Sequence, residues 1–308
     1  MKSNFPTLDV VRPMPIPQAL QRDRWRGGLG RSVALASFTT LAVALDEWHP
    51  ASLEKRILKR AGSIQAPRRV VERLRSGKAA FTHVLRGFQE ALPEVPLIFW
   101  AHHPIFQLLN TRKNEGEYQL AVLHALNTLD GSIRKHLWMQ DQTSLDAGST
   151  DVSTARIPDL SNLRSALQDR SGAEGMRQID WLTLALVTFL EAERSRDKAL
   201  AQEAAFVTNA AFDEACLRNL PLLAGWRELA AALDARVWQP AKLEGIFNNA
   251  GTRLPAILGL WMEHSPTAYP QELLKLAALD PPQPARIWRA QAAAECEAES
   301  GTGDQERN

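Results

Sequence analysis

Apolar residues recur along this chain at spacings of three and four, and alternating runs of Val, Ile, Thr and aromatics are scarce. The pattern predicts helices throughout. Val33 to Leu45, VALASFTTLAVAL, is the longest uncharged apolar stretch and predicts a buried helix from about Arg31 to Trp48. Ser52, a good N-cap, and Gly62 bracket a second helix. Pro67 sits where a first helical residue belongs, and a third helix is expected from there to about Leu92. Its stripe is Val70, Leu74, Phe81, Leu85, Phe88 and Leu92, with Gly77 as a weak or bent point. Leu97 to Leu109 reads as a short helix or buried strand broken at His-His-Pro, then a helix after Pro104; Tyr118 to Leu129 reads as another helix.

Residues 140–158 are polar, small and nearly free of large apolar groups, which marks a linker. Beyond it, Glu174 to Leu217 carries almost unbroken helix propensity, as one helix or as two with a break near Asn209. Pro221, Pro240, Pro255, Pro270 and Pro284 then punctuate short helices, but the segments between them do not match one another as repeats would. Residues 1–21 form a Pro-rich arm and 299–308 a disordered tail. The expectation is an all-α protein of two modules, a helical domain at 22–139 and an Ala/Leu/Trp-rich one at 159–298.

Charge sharpens that division. Residues 1–140 hold 20 Lys+Arg and 11 Asp+Glu, a net of +9, whereas residues 141–308 hold 16 and 24, a net of −8. The overall +1 hides a basic module joined to an acidic one, which suggests an anionic partner for the first. Most of the excess comes from Lys55 to Lys78, with nine Lys/Arg and one acid, Glu72. Helix, glycine turn and Arg-bearing helix over 52–76 have the outline of a helix-turn-helix. Leu53, Ile57, Ala61, Ile64, Val70 and Leu74 would form its inner faces. Arg68, Arg69 and Arg73 would meet a DNA groove, and Lys55, Lys59, Arg60, Arg75 and Lys78 complete the surface, with phosphate contacts supplying salt-dependent affinity. A plain solvated or protein-facing surface has the same sequence pattern.

A second anion-binding candidate is weaker. Gly28 and Gly30 lie in a glycine loop flanked by Arg26 and Arg31, ahead of a helix whose N–H groups could face a phosphate. A nucleotide loop needs a preceding strand and G-x-x-x-x-G-K-[ST], and neither is present. The alternative is a joint into the helix with Trp25 tucked against the core.

The remaining enzyme-like segment is PLIFWAHHPIF. Its run ending in Ala101-His102-His103-Pro104 resembles one metal-binding element of calcineurin-like metallophosphoesterases, over about eight residues. That resemblance implies a metal at His102 and His103. The family's D-x-H, G-D-x-x-D, G-N-H and G-H-x-H elements are missing, and no spacing singles out His124 or His136 as a partner. The competing reading is a helix break with a buried, hydrogen-bonded ring. G-x-S-x-G, H-E-x-x-H and dinucleotide glycine patterns are absent. Glu191, Glu193, Asp197 and Glu203, interleaved with Arg194, Arg196 and Lys198, read as surface ion pairs. Trp226, Trp238, Trp261 and Trp288 read as core fillers among small neighbours.

Cys216 and Cys296 support neither a disulfide framework nor a zinc site, and fit a reducing, cytoplasmic setting. Val33 to Leu45 is too short to cross a bilayer. It could serve as a signal core with Ala42-Val43-Ala44 as a cleavage site, although Asp9 and Asp23 precede it. The leading expectation is a non-enzymatic accessory protein without metal or cofactor. It would bind nucleic acid, DNA first, through its basic helices and a protein through its C-terminal half, with no membrane role and no small-molecule substrate identified. The alternatives are a helical adaptor or scaffold without a nucleic-acid role and, further off, a metal-dependent enzyme at His102/His103. In a further arrangement the acidic half faces and occludes the basic one.

Overall fold

The computed structural model describes residues 20, 25, 28–61, 69–111, 115–137, 157–169, 178–241, 250–264 and 269–277. Among them the regular structure is all helical. The basic half contributes α1 (Leu29–Leu45), α2 (Pro50–Ala61), α3 (Val70–Arg75), α4 (Thr82–Ala91), α5 (Leu97–Ala101), α6 (Pro104–Asn110), α7 (Glu115–Thr128) and α8 (Gly131–Leu137). The acidic half contributes α9 (Leu160–Gln168), α10 (Gln178–Ser195), α11 (Lys198–Arg218), α12 (Leu220–Ala224), α13 (Trp226–Leu233), a π-helical turn (Asp234–Trp238), α14 (Ala250–His264) and α15 (Gln271–Leu276).

The uncharged stretch of the sequence becomes the axis of the molecule. α1 is buried over most of its length, and two of its hydroxyls are met within the helix: Ser37 Oγ donates to Val33 O and Thr40 Oγ1 to Ala36 O, each at 2.8 Å. The buried Thr39 Oγ1 has no hydrogen-bond partner among the described residues. α2, α3 and α5 pack on α1 from the basic half, α12 and α13 from the acidic half. At the closest crossing Ser32 Oγ donates to Gly225 O at 2.9 Å. A Cβ on Gly225 would lie 2.6 Å from Ser32 Cα, so only glycine permits this approach. One apolar cluster runs from Leu20 to Ala277 through both halves.

Several sequence expectations are corrected here. The helix expected from Pro67 to Leu92 is two helices, because Gly77 takes φ +79° and closes α3. Gly77 N–H donates to Leu74 O and Lys78 N–H to Arg73 O, the paired bonds of a left-handed C-terminal cap. The break in Glu174 to Leu217 falls at Arg196–Asp197, not near Asn209, which is buried inside α11. Arg196 takes φ 62° to end α10, and Asp197 accepts from Leu200 N–H to start α11. Pro255 lies inside α14 and does not end it. Leu20, at the end of the expected arm, is fully buried.

The expected linker at 140–158 apart from its last two residues, the arm at 1–21 apart from Leu20, residues 278–298 of the expected acidic domain and the tail at 299–308 lie outside the described residues. No single described helix is long and apolar enough to cross a membrane; α1 and α2 pass that test only as a pair bent by 68°.

Candidate nucleic-acid interface

α2 directs its sides by simple helical geometry. Leu53 and Ile57, one turn apart, are fully buried. Lys55 and Lys59 project from the opposite side and are exposed. Neither makes an ion pair among the described residues, nor do Arg73 and Lys78, also exposed. Arg56 and Arg60 flank the lysines and are tied: Arg56 donates to Leu45 O at 2.7 Å and pairs with Glu47, and Arg60 pairs with Glu94 at 2.8 Å. A shallow hollow of about 350 Å³ is lined, among the described residues, by Leu45, Arg56, Lys59 and Arg60.

The other flank of α2 differs. An open groove of about 570 Å³ separates it from α3 and α15, and its charges alternate: Glu54 and Glu72 against Arg69 and Arg75, with Leu276 at the end. Arg69 is left-handed at φ 65°, and its N–H donates to Glu54 Oε1 at 3.1 Å. Arg75 pairs with Glu272 of α15 at 3.4 Å. The basic residues therefore divide between a flank where Lys59 lies beside the tied Arg56 and Arg60 and one where acids and bases alternate. Leu53, Ile57, Val70 and Leu74 are buried as the sequence predicts, with Val71 added. α3 has six residues, less than two turns. Arg68 and Ile64, and the side chain of Ala61, lie outside the described residues.

At the start of α1 the expected phosphate position is bounded by a carboxylate. Arg31 Nε pairs with Glu228 Oε1 at 2.8 Å, and a Cβ on Gly28 would meet Glu228 Cγ at 2.9 Å. Gly30 faces Trp25. These glycines serve close packing, and Trp25 does pack on the core as the joint reading expects. Arg26 lies outside the described residues.

His102 and His103 sit in the break between α5 and α6, both buried. His103 Nδ1 accepts from Ile105 N–H at 3.3 Å and its ring stacks on Trp100. His102 Nδ1 lies 3.4 Å from Gln107 Nε2, and its ring packs against Trp25. No group of three His, Cys, Asp or Glu able to hold a metal occurs among the described residues. His124 is buried elsewhere on α7, and burial lowers its pKa to about 4. Burial, with Asp213 nearby, raises the Cys216 thiol well above its ordinary range.

Two arrangements went unread in the sequence. Glu191 keeps the expected pair with Arg194, at 3.5 Å, but it is buried and also accepts from Tyr118 Oη at 2.6 Å, with Arg194 over the Tyr118 ring. Burial and this carboxylate push the Tyr118 phenol far up. Glu193 pairs with Arg236, and Arg164 lies near Asp197 and Glu203, as surface pairs should. Second, Phe81 leaves the inner stripe and lies exposed against His83. Trp226 and Trp238 are core, donating to Ala277 O and Thr208 Oγ1. Compared with known proteins, the chain matches no family, no curated protein and no solved structure.

Proposed function

We propose that this is a non-enzymatic accessory protein that binds nucleic acid through the outer face of α2 and the Arg73–Lys78 turn, and a protein partner through its C-terminal half. One observation carries the first part: Lys55 and Lys59 stand exposed on the outer side of α2, without an ion pair among the described residues, and Lys59 lines a hollow with Arg56 and Arg60. Such a surface neutralises phosphates and releases counterions. The brevity of α3 favours backbone contact over base reading in a major groove. Exposed Leu260 and Phe206 supply apolar surface for a protein partner.

The test is a fluorescence-anisotropy titration of the full chain on duplex DNA at several salt concentrations. With about four phosphate contacts, log affinity should fall against log salt with a slope of about 3 to 4. Lys55→Glu with Lys59→Glu should weaken binding at least about tenfold at low salt, with an unchanged circular dichroism spectrum. No binding by the wild-type chain at low salt would leave the adaptor reading in its place.

The Arg31–Glu228 and Arg75–Glu272 pairs favour a second element, partial neutralisation of the basic half by the acidic one. Both pairs are partly solvated, each worth about 0–1 kcal/mol, so this is a bias and not a lock. Glu228→Gln with Glu272→Gln should then tighten DNA binding in the same titration; unchanged or weaker binding removes it.

A further inference from the structure

Phe81 is placed at a cost that the fold does not recover. It is the N-cap of α4, a position that favours Ser, Thr, Asp or Asn, and its side chain caps nothing. Its backbone is fixed, since Phe81 O accepts from Val84 N–H and Leu85 N–H at 3.0 and 3.2 Å. The ring is outside: 51% of the residue is exposed, in a chain whose other inner-stripe residues, from Val70 to Leu92, are buried. One neighbour braces it. The His83 ring, itself exposed, lies parallel at 12° with centroids 5.7 Å apart. Lys78, exposed and without an ion pair among the described residues, precedes Phe81 by three residues, and α4 packs against α2, the helix that carries Lys55 and Lys59.

A flat aromatic surface three residues along the chain from an exposed lysine matches the chemistry of an unpaired base attached to a phosphate chain. Aromatic faces stack any base, while the cations follow the backbone. A duplex offers no base face to such a ring. We infer that the Phe81–His83 stack is a base platform, and that the protein prefers single-stranded over double-stranded nucleic acid. The inference rests on the nucleic-acid reading of α2 and narrows it to a substrate class.

The experiment compares three probes on the full chain at matched salt: a single strand of about 15 nucleotides, the same sequence as duplex, and heparin, a polyanion without bases. The single strand should bind most tightly. Phe81→Ser should weaken it about tenfold while leaving duplex and heparin within about twofold. Because serine supplies the missing cap, the same variant should hold or raise the thermal midpoint, so a loss of binding cannot be ascribed to unfolding. Phe81→Trp should keep the preference. Equal affinity for single strand and duplex, or a Phe81→Ser effect that is nil or equal on all three probes, overturns the platform and leaves the α2 reading standing. Failure to bind any of the three overturns both.

Discussion

At the scale of single residues, the buried polar groups set the pH response. His124 is buried on α7, its Nε2 has no partner among the described residues, and its folded pKa is lowered to about 4. The unfolded chain titrates near the ordinary 6.5, so below that pH it binds the proton that the folded chain refuses. Stability from this site is therefore complete above about pH 6.5 and is lost as pH falls toward 4, a total of roughly 3 kcal/mol. Urea melts between pH 7 and 4 should show this acid limb, and His124→Leu should flatten it; an equal slope in the variant would assign acid sensitivity elsewhere. Nothing in the sequence distinguished His124 from the exposed His83, because burial is decided by which face of α7 meets its neighbours.

At the scale of elements, local chemistry fixes ends that propensity hides. The segment around Arg194 to Lys198 is made of good helix formers, yet the chain reverses there between α10 and α11. Arg196 occupies a left-handed position that suits glycine, and Asp197 caps the next helix. Opposite effects follow from adjacent substitutions. Arg196→Gly should stabilise the protein by about 1 kcal/mol by relieving the left-handed backbone, and Asp197→Ala should destabilise it by about 1 kcal/mol through loss of the cap. Denaturant midpoints check both, and the same sign for the two would contradict this account of the turn. The sequence offered the correct alternative, two helices, but Asn209 drew the break because a mid-helix Asn is locally unfavourable. Inside α11 its side chain is buried, where tertiary contacts override propensity.

At the scale of the molecule, the opposed charges do not coincide with two separate cores. α1 is covered from both halves, and the Ser32–Gly225 contact spans 193 positions of sequence. Gly225→Ala would force a methyl against Ser32 Oγ and to 2.6 Å from its Cα, so α1 or α12 must move. The expected loss is about 3 kcal/mol, measurable by denaturation. For the same reason a fragment of residues 1–137 should lack a cooperative unfolding transition, since α1 would expose the face that α12 and α13 cover. A fragment that melts sharply would show that the basic half folds alone.

The sequence by itself determined the helical class, the buried character of Val33–Leu45, the inward positions Leu53, Ile57, Val70 and Leu74, and the start of α6 after Pro104. These follow from periodicity and from proline and capping chemistry, which act within a turn or two of the chain. It also located the cations, but a charge count carries no direction. Only the tertiary structure decided that Lys55 and Lys59 make no ion pair among the described residues while Arg31 and Arg75 meet distant carboxylates. It likewise decided that Glu191 is buried under Tyr118, and that Phe81, in register with a core stripe, ends up outside. The last case shows the physical reason: a stripe persists only while the helix does. Gly77, bending left-handed beside Arg31, ends α3 and releases Phe81 from the core face.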